Sequence, residues 1–221
     1  MDKKERQFPM TSIYLVRHGQ TAWNKEEIFR GRTDIPLNEN GLRQADLVGE
    51  YLRGSNIDVV YSSPLARARE TARSVAQVFS LKVLPLEGIN DMSFGKWEGL
   101  PLKEVQTHDR DLFEQWRKEP HLVRLPGGES LDEVRIRAMA ALEDVIRSNT
   151  GKNLVLVSHR VVIKVILCGI LGIDNSHFWQ IGQDAAAINL IKFKEGTYVL
   201  SLLNETCHLK PLREEKSNTD F

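Results

Sequence analysis

The sequence predicts an α/β protein: a three-layer αβα sandwich with a mostly parallel central sheet and an antiparallel edge strand. Apolar runs of strand length alternate with segments of helical period. This order favours parallel strands joined by right-handed crossovers, with helices on both faces of the sheet. Near the C-terminus two strand-like segments flank Glu195-Gly196, which is the pattern of a hairpin at a sheet edge.

Five segments are predicted as strands. The first three are apolar at nearly every position, as is typical of strands buried on both faces of a parallel sheet. In chain order the predicted strands are Ser12–Val16, Val59–Ser62, Asn153–Val157, Ala187–Phe193 and Tyr198–Leu203.

Four segments repeat apolar residues every three to four positions, the spacing of helices that pack on a sheet. They are Leu42–Arg53, Leu65–Phe79, Leu131–Arg147 and Val161–Leu171. Pro64 suits the first turn of the second helix. Ser130, with Glu133 three residues later, predicts a capping box at the start of the third.

The chain length of 221 residues fits a single domain with a full core, so residues 1–221 are predicted as one domain. Residues 87–128 are less regular and rich in Trp, Pro and Gly. They are predicted as a cap of connecting loop with a short helix. The polar residues 213–221 are predicted as a mobile tail.

Composition argues against several classes of partner. Lys plus Arg and Asp plus Glu number 30 each, so no basic surface for nucleic acid is indicated. The first eight residues lack the apolar core of a signal peptide, and the longest apolar stretch, Val161–Ile173, is interrupted by Lys164 and too short to span a membrane. A cytoplasmic protein that binds neither nucleic acid nor membrane is expected.

Polar side chains follow the predicted strands where these strands end. Arg17 and His18 come directly after the first strand, Arg67 shortly after the second, and His159 just after the third. Asp91 follows a further short apolar segment after a loop. Because ligands of open α/β sheets bind beyond the carboxyl ends of the strands, we expect these five residues to converge on one crevice.

The chemistry of this set favours a phosphate ligand. Two arginines suit an anion with several oxygens, because guanidinium groups match phosphate bidentately. Gly19 would let the backbone approach that anion, and the helix beginning near Arg160 would offer free amide groups. One neutral imidazole can then attack phosphorus, forming a phosphohistidine that water hydrolyses, while the other stabilises charge on the oxygens. Asp91 is the carboxyl available as general acid, and it would have to hold its proton near neutrality.

Other interpretations of the same residues are open. A single His after a strand is more often structural than catalytic, and Asp91 alone could be a turn residue. A zinc site from His18, His159 and Asp91 is the main chemical alternative. It is disfavoured because two arginines would repel a divalent cation and because no zinc-ligand spacing such as His-Glu-x-x-His occurs. The sequence also lacks a Gly-x-Ser-x-Gly elbow, a Walker loop and a dinucleotide-binding glycine turn. Neither metal nor cofactor is therefore expected.

At these residues the sequence resembles the histidine phosphatase superfamily, which includes the cofactor-dependent phosphoglycerate mutases. Six stretches carry the resemblance, and the first is a highly specific signature. They are Leu15–Asn24 (LVRHGQTAWN), Gly31–Gly41 (GRTDIPLNENG), Tyr61–Ala72 (YSSPLARARETA), Phe94–Gly99 (FGKWEG), Gly127–Ser130 (GGES) and Val155–His159 (VLVSH). The resemblance covers most of residues 12 to 208 and implies a phosphoglycerate mutase-like fold.

The resemblance implies a role for each residue of the crevice. His18 would be the nucleophile, Arg17, Arg67 and His159 would bind the phosphoryl group, and Asp91 would be the proton donor. Six further residues are expected to bind substrate, with Asn24 contacting a phosphate oxygen. These residues are Gly19, Gln20, Thr21, Asn24, Phe94 and Arg160.

The sequence departs from the family pattern at three of these positions. Most members have Glu where this chain has Asp91, so the carboxyl is one methylene shorter. Many carry a small residue where Arg160 stands, and the Arg160 side chain either points to the mouth of the site, favouring acidic substrates, or faces solvent. The C-terminal part is most similar to bacterial metal-independent phosphoserine phosphatases, in which a substrate-selecting His stands where this chain has Phe94. An apolar Phe94 could hold a larger or less polar leaving group.

The function predicted is a phosphomonoesterase that hydrolyses a small phosphorylated metabolite through a phosphohistidine on His18, without a metal. A cofactor-dependent phosphoglycerate mutase is one alternative, disfavoured because only 68 positions separate Asp91 from His159, which leaves a shorter cap. A non-catalytic phosphate-binding module is the other, supported by the departure at Asp91. A homodimer formed through the edge hairpin is a further, open prediction.

Overall fold

The computed structural model describes residues 9–214. Six strands in this range form one sheet, and all five predicted strands are among them. Their bounds are β1 Thr11–Arg17, β2 Val59–Ser62, β3 Val83–Pro85, β4 Asn153–Ser158, β5 Ile188–Lys194 and β6 Thr197–Glu205. The strand order is β3-β2-β4-β1-β5-β6.

The sheet is parallel from β3 to β1 and antiparallel beyond β1. β4 lies between β2 and β1 and pairs in parallel with both, so that Leu156 lies opposite Tyr61 on one side and Leu15 on the other. β5 runs antiparallel to β1 and to β6. This arrangement confirms the predicted fold class.

Eight α-helices are found in the same range, and four of them match the predicted helices to within three residues at each end. Their bounds are α1 Ala22–Lys25, α2 Glu39–Leu52, α3 Ala66–Val78, α4 Leu102–His108, α5 Arg110–Lys118, α6 Leu131–Ser148, α7 Arg160–Ile170 and α8 Lys210–Glu214. Several short 3-10 turns connect them.

Alternate side chains of the buried strands pack on opposite faces of the sheet, which gives the protein its three layers. In β4, Val155 and Val157 join a core with α2 and α3, whereas Leu154 and Leu156 join a core with α6 and α7. Successive side chains of a strand point to opposite faces, so a continuously apolar strand supplies both cores at once. No helix within residues 9–214 is long and apolar enough to cross a bilayer.

The local signals in the sequence have mixed outcomes. The capping box is confirmed, because Ser130 Oγ accepts from Glu133 N at 3.3 Å and Glu133 Oε2 accepts from Ser130 N at 2.9 Å. The prediction for Pro64 is wrong by two residues: α3 begins at Ala66 with Leu65 as its N-cap, so Pro64 precedes the helix.

The hairpin predicted at Glu195-Gly196 is confirmed as the β5–β6 connection. Both turn residues have positive φ, 50° and 80°, as in the tight turns whose twist matches that of the flanking strands. β6 forms one edge of the sheet and exposes apolar Val199. Pairing of this edge with a second subunit stays a prediction.

Residues 87–128 are more regular than predicted, because they contain two helices, α4 and α5, where one was expected. Both helices are short, and aromatic packing holds the segment together: Trp97 contacts Phe113 at a ring-centroid distance of 6.3 Å, and both are buried in the α6–α7 core. Of the predicted mobile tail, residues 213 and 214 end α8, and residues 215–221 lie outside the described range.

We expect Ser130→Ala to lower the free energy of unfolding by about 1 kcal/mol, because it removes the hydroxyl that caps α6. Urea unfolding followed by circular dichroism measures this. Ser148→Ala is the matched control, since Ser148 is exposed in the last turn of the same helix and donates only to Asp144 O. Equal effects of the two substitutions would show that the cap does not stabilise α6.

Candidate active site

The strand order brings the predicted residues together at the carboxyl end of the parallel strands. β1 ends at Arg17, and β4 ends beside it at Ser158, the two being register partners. The chains continue together, because His18 N donates to Ser158 O at 3.0 Å. β2 ends on the other side of β4, and Arg67 lies in the first turn of the helix that follows it. The parallel pairing of β2, β4 and β1 therefore brings His18, His159 and Arg67 together beyond the carboxyl ends of these strands.

His18 is 1% exposed, and its Nδ1 lies 2.7 Å from its neighbour's carbonyl, Gly19 O. A carbonyl oxygen only accepts, so Nδ1 carries the proton and Nε2 keeps its lone pair. Burial, followed by the charges of Arg67 and nearby groups, holds the pKa of His18 well below its ordinary value. The result is a neutral imidazole with a free ring nitrogen.

His159 is fully buried beside His18, with ring centroids 5.2 Å apart. Its Nε2 lies 2.7 Å from Ser63 Oγ. Its Nδ1 lies 3.4 Å from Asp91 Oδ2, within ion-pair distance but without hydrogen-bond geometry. Burial and then Arg67 lower the pKa of His159 well below its ordinary value, so the site contains two neutral imidazoles.

Arg67 and Asp91 form a buried ion pair. Arg67 is 0% exposed, and its Nη2 donates to Asp91 Oδ2 at 2.8 Å and to Gly31 O at 2.7 Å, while Nη1 donates to Thr33 O at 2.9 Å. The other Asp91 oxygen accepts from Met92 N at 2.9 Å. Both oxygens of the predicted proton donor are therefore already engaged.

Two more arginines contribute cations to the site, one buried and one partly buried. Burial, followed by Arg30 and Arg160, lowers the pKa of Arg17 to about 9, and its Nη1 donates to Gln183 O at 2.7 Å. Arg30 lies in the loop after α1, where burial lowers its pKa to about 10. Sequence reasoning missed Arg30, because it follows no strand. The one indication in the sequence is that Arg30 immediately precedes Gly31, where the second of the six stretches that resemble the family begins.

The Nε–H groups of Arg17, Arg30 and Arg67 share a property: each is buried and has no hydrogen-bond partner among the described residues. A buried donor left unpaired costs about 1–3 kcal/mol. Arg17 and Arg30 line the same cavity as His18, and Arg67 reaches it through Asp91. Three such donors beside one imidazole indicate a site for an anion with several oxygens.

The cavity has a volume of about 480 Å³ and two kinds of wall. One wall is polar and carries five of the predicted site residues together with Arg30; the predicted ones are Arg17, His18, Gln20, Asn24 and Asp91. The other is aromatic and includes Phe29, Phe94, Phe113, Trp116, Phe178 and Trp179. Phe94 and Arg160 both line the cavity, as expected for residues near a substrate.

Gly19 and Thr21 are not among the residues that line the cavity. The Gly19 amide donates to Thr71 Oγ1 at 3.0 Å, and a Cβ at Gly19 would lie 2.5 Å from Gly41 O. The glycine is thus required for close packing against the start of α2. Thr21 caps α1 together with Asn24, which fixes where Asn24 meets the cavity.

Arg137 on α6 holds the loop that carries Asp91, a role that sequence reasoning missed. Its guanidinium donates to the carbonyl oxygens of Gly88, Asn90 and Asp91 at 2.9, 2.7 and 3.0 Å. It also pairs with Glu129, which accepts from Ser93 N at 2.8 Å. Since a long side chain makes these contacts from the middle of a helix, no spacing in the sequence indicates them.

The three residues of the zinc alternative do not form a ligand set in this structure. Asp91 Oδ2 is turned to Arg67 and His159 Nε2 to Ser63. Within residues 9–214, no three His, Cys, Asp or Glu side chains are arranged to hold a metal ion.

Fold and site together define a class of protein. An α/β sheet that presents buried histidines and arginines around an anion site is matched by the model of the histidine phosphatase superfamily (branch 1) over residues 13–206. The chain belongs to this family, as the resemblance implied.

Individual relatives agree with this assignment. Phosphoserine phosphatase 1 of Hydrogenobacter thermophilus is 38% identical over 200 residues, which cover 90% of this chain and 95% of the relative. Among solved structures, Bacillus stearothermophilus YhfR has a TM-score of 0.87 at 28% identity, covering 90% of this chain and all of that one. A phosphoserine phosphatase from Entamoeba histolytica, solved in complex with 3-phosphoglyceric acid, has a TM-score of 0.81 at 33% identity, covering 90% and 99%.

The two buried imidazoles predict how stability depends on pH. Both folded-state pKa values are lowered, so below about pH 6.5 the unfolded chain binds more protons than the folded chain. Stability is therefore present above about pH 6.5 and is lost as the pH falls towards the folded pKa values, by about 1.4 kcal/mol per pH unit for each proton.

Urea unfolding between about pH 7 and pH 5 measures this dependence, a window chosen to lie around the ordinary histidine pKa. Replacing both His18 and His159 with Gln should flatten it. His108→Gln on the exposed side of α4 is the control. An equal slope in wild type and double variant would contradict the prediction.

Proposed function

We propose that this protein is a phosphomonoesterase that transfers the phosphoryl group of a small substrate to Nε2 of His18 and then to water, without a metal. The observation that carries the proposal is the set of three buried, unpaired guanidinium donors around a neutral imidazole. Such a site favours binding of a phosphate and leaves the nucleophile ready to react.

In the first step, the lone pair of His18 Nε2 forms a bond to phosphorus as the bond to the leaving oxygen breaks. That oxygen takes a proton from Asp91 and departs as an alcohol. In the second step, water attacks phosphorus, the bond to His18 breaks, and the Asp91 carboxylate takes a proton from the water. The products are the alcohol and inorganic phosphate, and His18 is regenerated.

The arginines and His159 stabilise the phosphoryl oxygens through both steps. Arg17 and Arg30 donate from the cavity wall, where low polarity strengthens each interaction. His18 Nδ1 donates a hydrogen bond to Gly19 O, and this bond orients the ring for attack. His159, whose ring lies 5.2 Å from that of His18, would contact an oxygen of the transferred group.

Asp91 has to be released from Arg67 before it can act on the leaving oxygen. Its Oδ2 is held by Arg67 at 2.8 Å, and a phosphate dianion is a stronger partner for that guanidinium than a single carboxylate oxygen. Substrate binding would therefore exchange the partner of Arg67, and the freed Asp91 carboxylate would take up a proton from solvent before the first step. This exchange couples phosphate binding to the supply of the proton.

We expect His18→Ala to lower kcat for p-nitrophenyl phosphate by about 10³-fold or more, since it removes the nucleophile. The phosphohistidine should appear in wild type by rapid quench and mass spectrometry, and turnover should survive a chelator. Phosphate binding by His18→Ala, followed by calorimetry, controls for an intact site.

The outcomes separate the alternatives. Full activity in His18→Ala would refute the nucleophile. Phosphate binding by wild type with no turnover would indicate a binding module. Interconversion of 2- and 3-phosphoglycerate primed by the bisphosphate would indicate a mutase.

We expect Asp91→Asn to lower kcat/KM by about 10²-fold or more for an alkyl phosphate but far less for p-nitrophenyl phosphate, whose leaving group needs no proton. Steady-state rates with both substrates measure the difference. Asp109→Asn, in the cap outside the cavity, is the control. Equal losses with both substrates would mean that Asp91 is not the proton donor.

A further inference from the structure

A cation lies behind the aromatic wall of the cavity. Lys164, in the second turn of α7, is 2% exposed. Its ammonium lies 4.6 Å from the ring centroid of Phe178 and 4.8 Å from that of Trp179. Both rings line the cavity. Arg160, one turn earlier on α7, places its guanidinium carbon 5.7 Å from the same Trp179 centroid.

Lys164 has no hydrogen-bond or ion-pair partner among the described residues. A buried ammonium is costly unless something compensates its charge. The negative faces of two aromatic rings supply that compensation, because a cation within about 6 Å of a ring centroid is attracted to the ring. Phe178 and Trp179 are therefore engaged by cations that belong to the protein.

The charges on the cavity lining also disfavour a cationic ligand. Arg17, Arg30, Arg117 and Arg160 line it, against the carboxylates of Asp91 and Glu27. Asp91 is paired with Arg67, and Glu27 is exposed. The phosphate of a substrate would occupy Arg17 and Arg30. Arg117 and Arg160 would then remain to face the leaving group.

We propose that Lys164 and Arg160 make this site select phosphomonoesters whose leaving group is bulky and apolar and carries no positive charge. The inference rests on the proposed function. Aromatic walls often attract quaternary ammonium groups. Here two cations already occupy Phe178 and Trp179, so an ammonium group that approaches these two rings is repelled where an apolar group of equal shape is accepted.

The charge on Lys164 depends on pH near neutrality. Burial, then Arg160 and Arg17, lowers the pKa of Lys164 to about 7, while Cys168 acts in the opposite sense. His177, on the 3-10 segment that carries Phe178, lies at the surface beside Asp174. Selection should be strongest below this pKa, where Lys164 is protonated.

The sharpest test uses two substrates of one shape that differ by one charge: 3,3-dimethylbutyl phosphate, which is neutral in its leaving group, and phosphocholine, which is cationic. At about pH 6 we expect kcat/KM for the neutral ester to be greater by about tenfold or more, which corresponds to about 1.4 kcal/mol. The ratio should fall towards one in Lys164→Met and in Arg160→Met.

Lys118→Met is the matched control, because that lysine is 74% exposed on α5 and pairs with Glu114. It should leave the ratio unchanged. Since Met has a similar length and carries no charge, Lys164→Met should fold, and its melting temperature checks this. Wild type offers a second measurement that needs no variant: the ratio should fall between about pH 6 and pH 8.5 as Lys164 loses its proton.

The two proposals fail differently. A ratio near one in wild type, or a ratio that neither Lys164→Met nor the rise in pH reduces, would overturn the inference while hydrolysis continues. Loss of all turnover, including that of p-nitrophenyl phosphate by wild type, would overturn the proposed function instead.

Discussion

Burial of arginine charge around a neutral imidazole is the constraint on which the rest of this structure depends. Guanidinium groups keep their charge when buried, so Arg17, Arg30 and Arg67 each require acceptors that the surrounding backbone can only partly provide. Their Nη groups find carbonyl oxygens, whereas their Nε–H groups find none. Burial, and after it the same charges, lowers the pKa of His18 and keeps the ring unprotonated. The need for an anion and the readiness of the nucleophile therefore share a cause.

The scaffold is arranged to hold these charges in the absence of a ligand. Asp91 neutralises Arg67, and Arg137 fixes the loop that carries Asp91 by binding three carbonyl oxygens of that loop. Arg137 is in turn neutralised by Glu129. A chain of alternating charge thus runs from the cavity to α6. It explains why the acid is found on an irregular loop and still has a defined position.

Much of the fold could be predicted because the apolar residues that determine it recur at regular intervals in the sequence. Strands that bury both faces, and helices that bury one, leave patterns of two and of about 3.6 residues in the sequence. His18 and His159 could be predicted as well, since each follows a strand directly. Arg30 and Arg137 could not, because they reach the site from a loop and from a helix by the length of their side chains. α4 and α5 were beyond prediction as a pair, because each is short and the aromatic contacts of α5 include Phe178 and Trp179, far along the chain.

The role of Lys164 could not be predicted from the sequence either. In the sequence it is a charge that interrupts an apolar helix, and only the fold reveals that two rings of the cavity wall cover its ammonium. A buried lysine among apolar neighbours would ordinarily be replaced at little cost to stability, or with a gain. Where such a charge borders a substrate cavity, its electric field acts on any substrate bound there. The phosphate end and the leaving-group end of this site are thus governed by one physical rule, the cost of positive charge without a partner, which attracts the anion at one end and excludes a cation at the other.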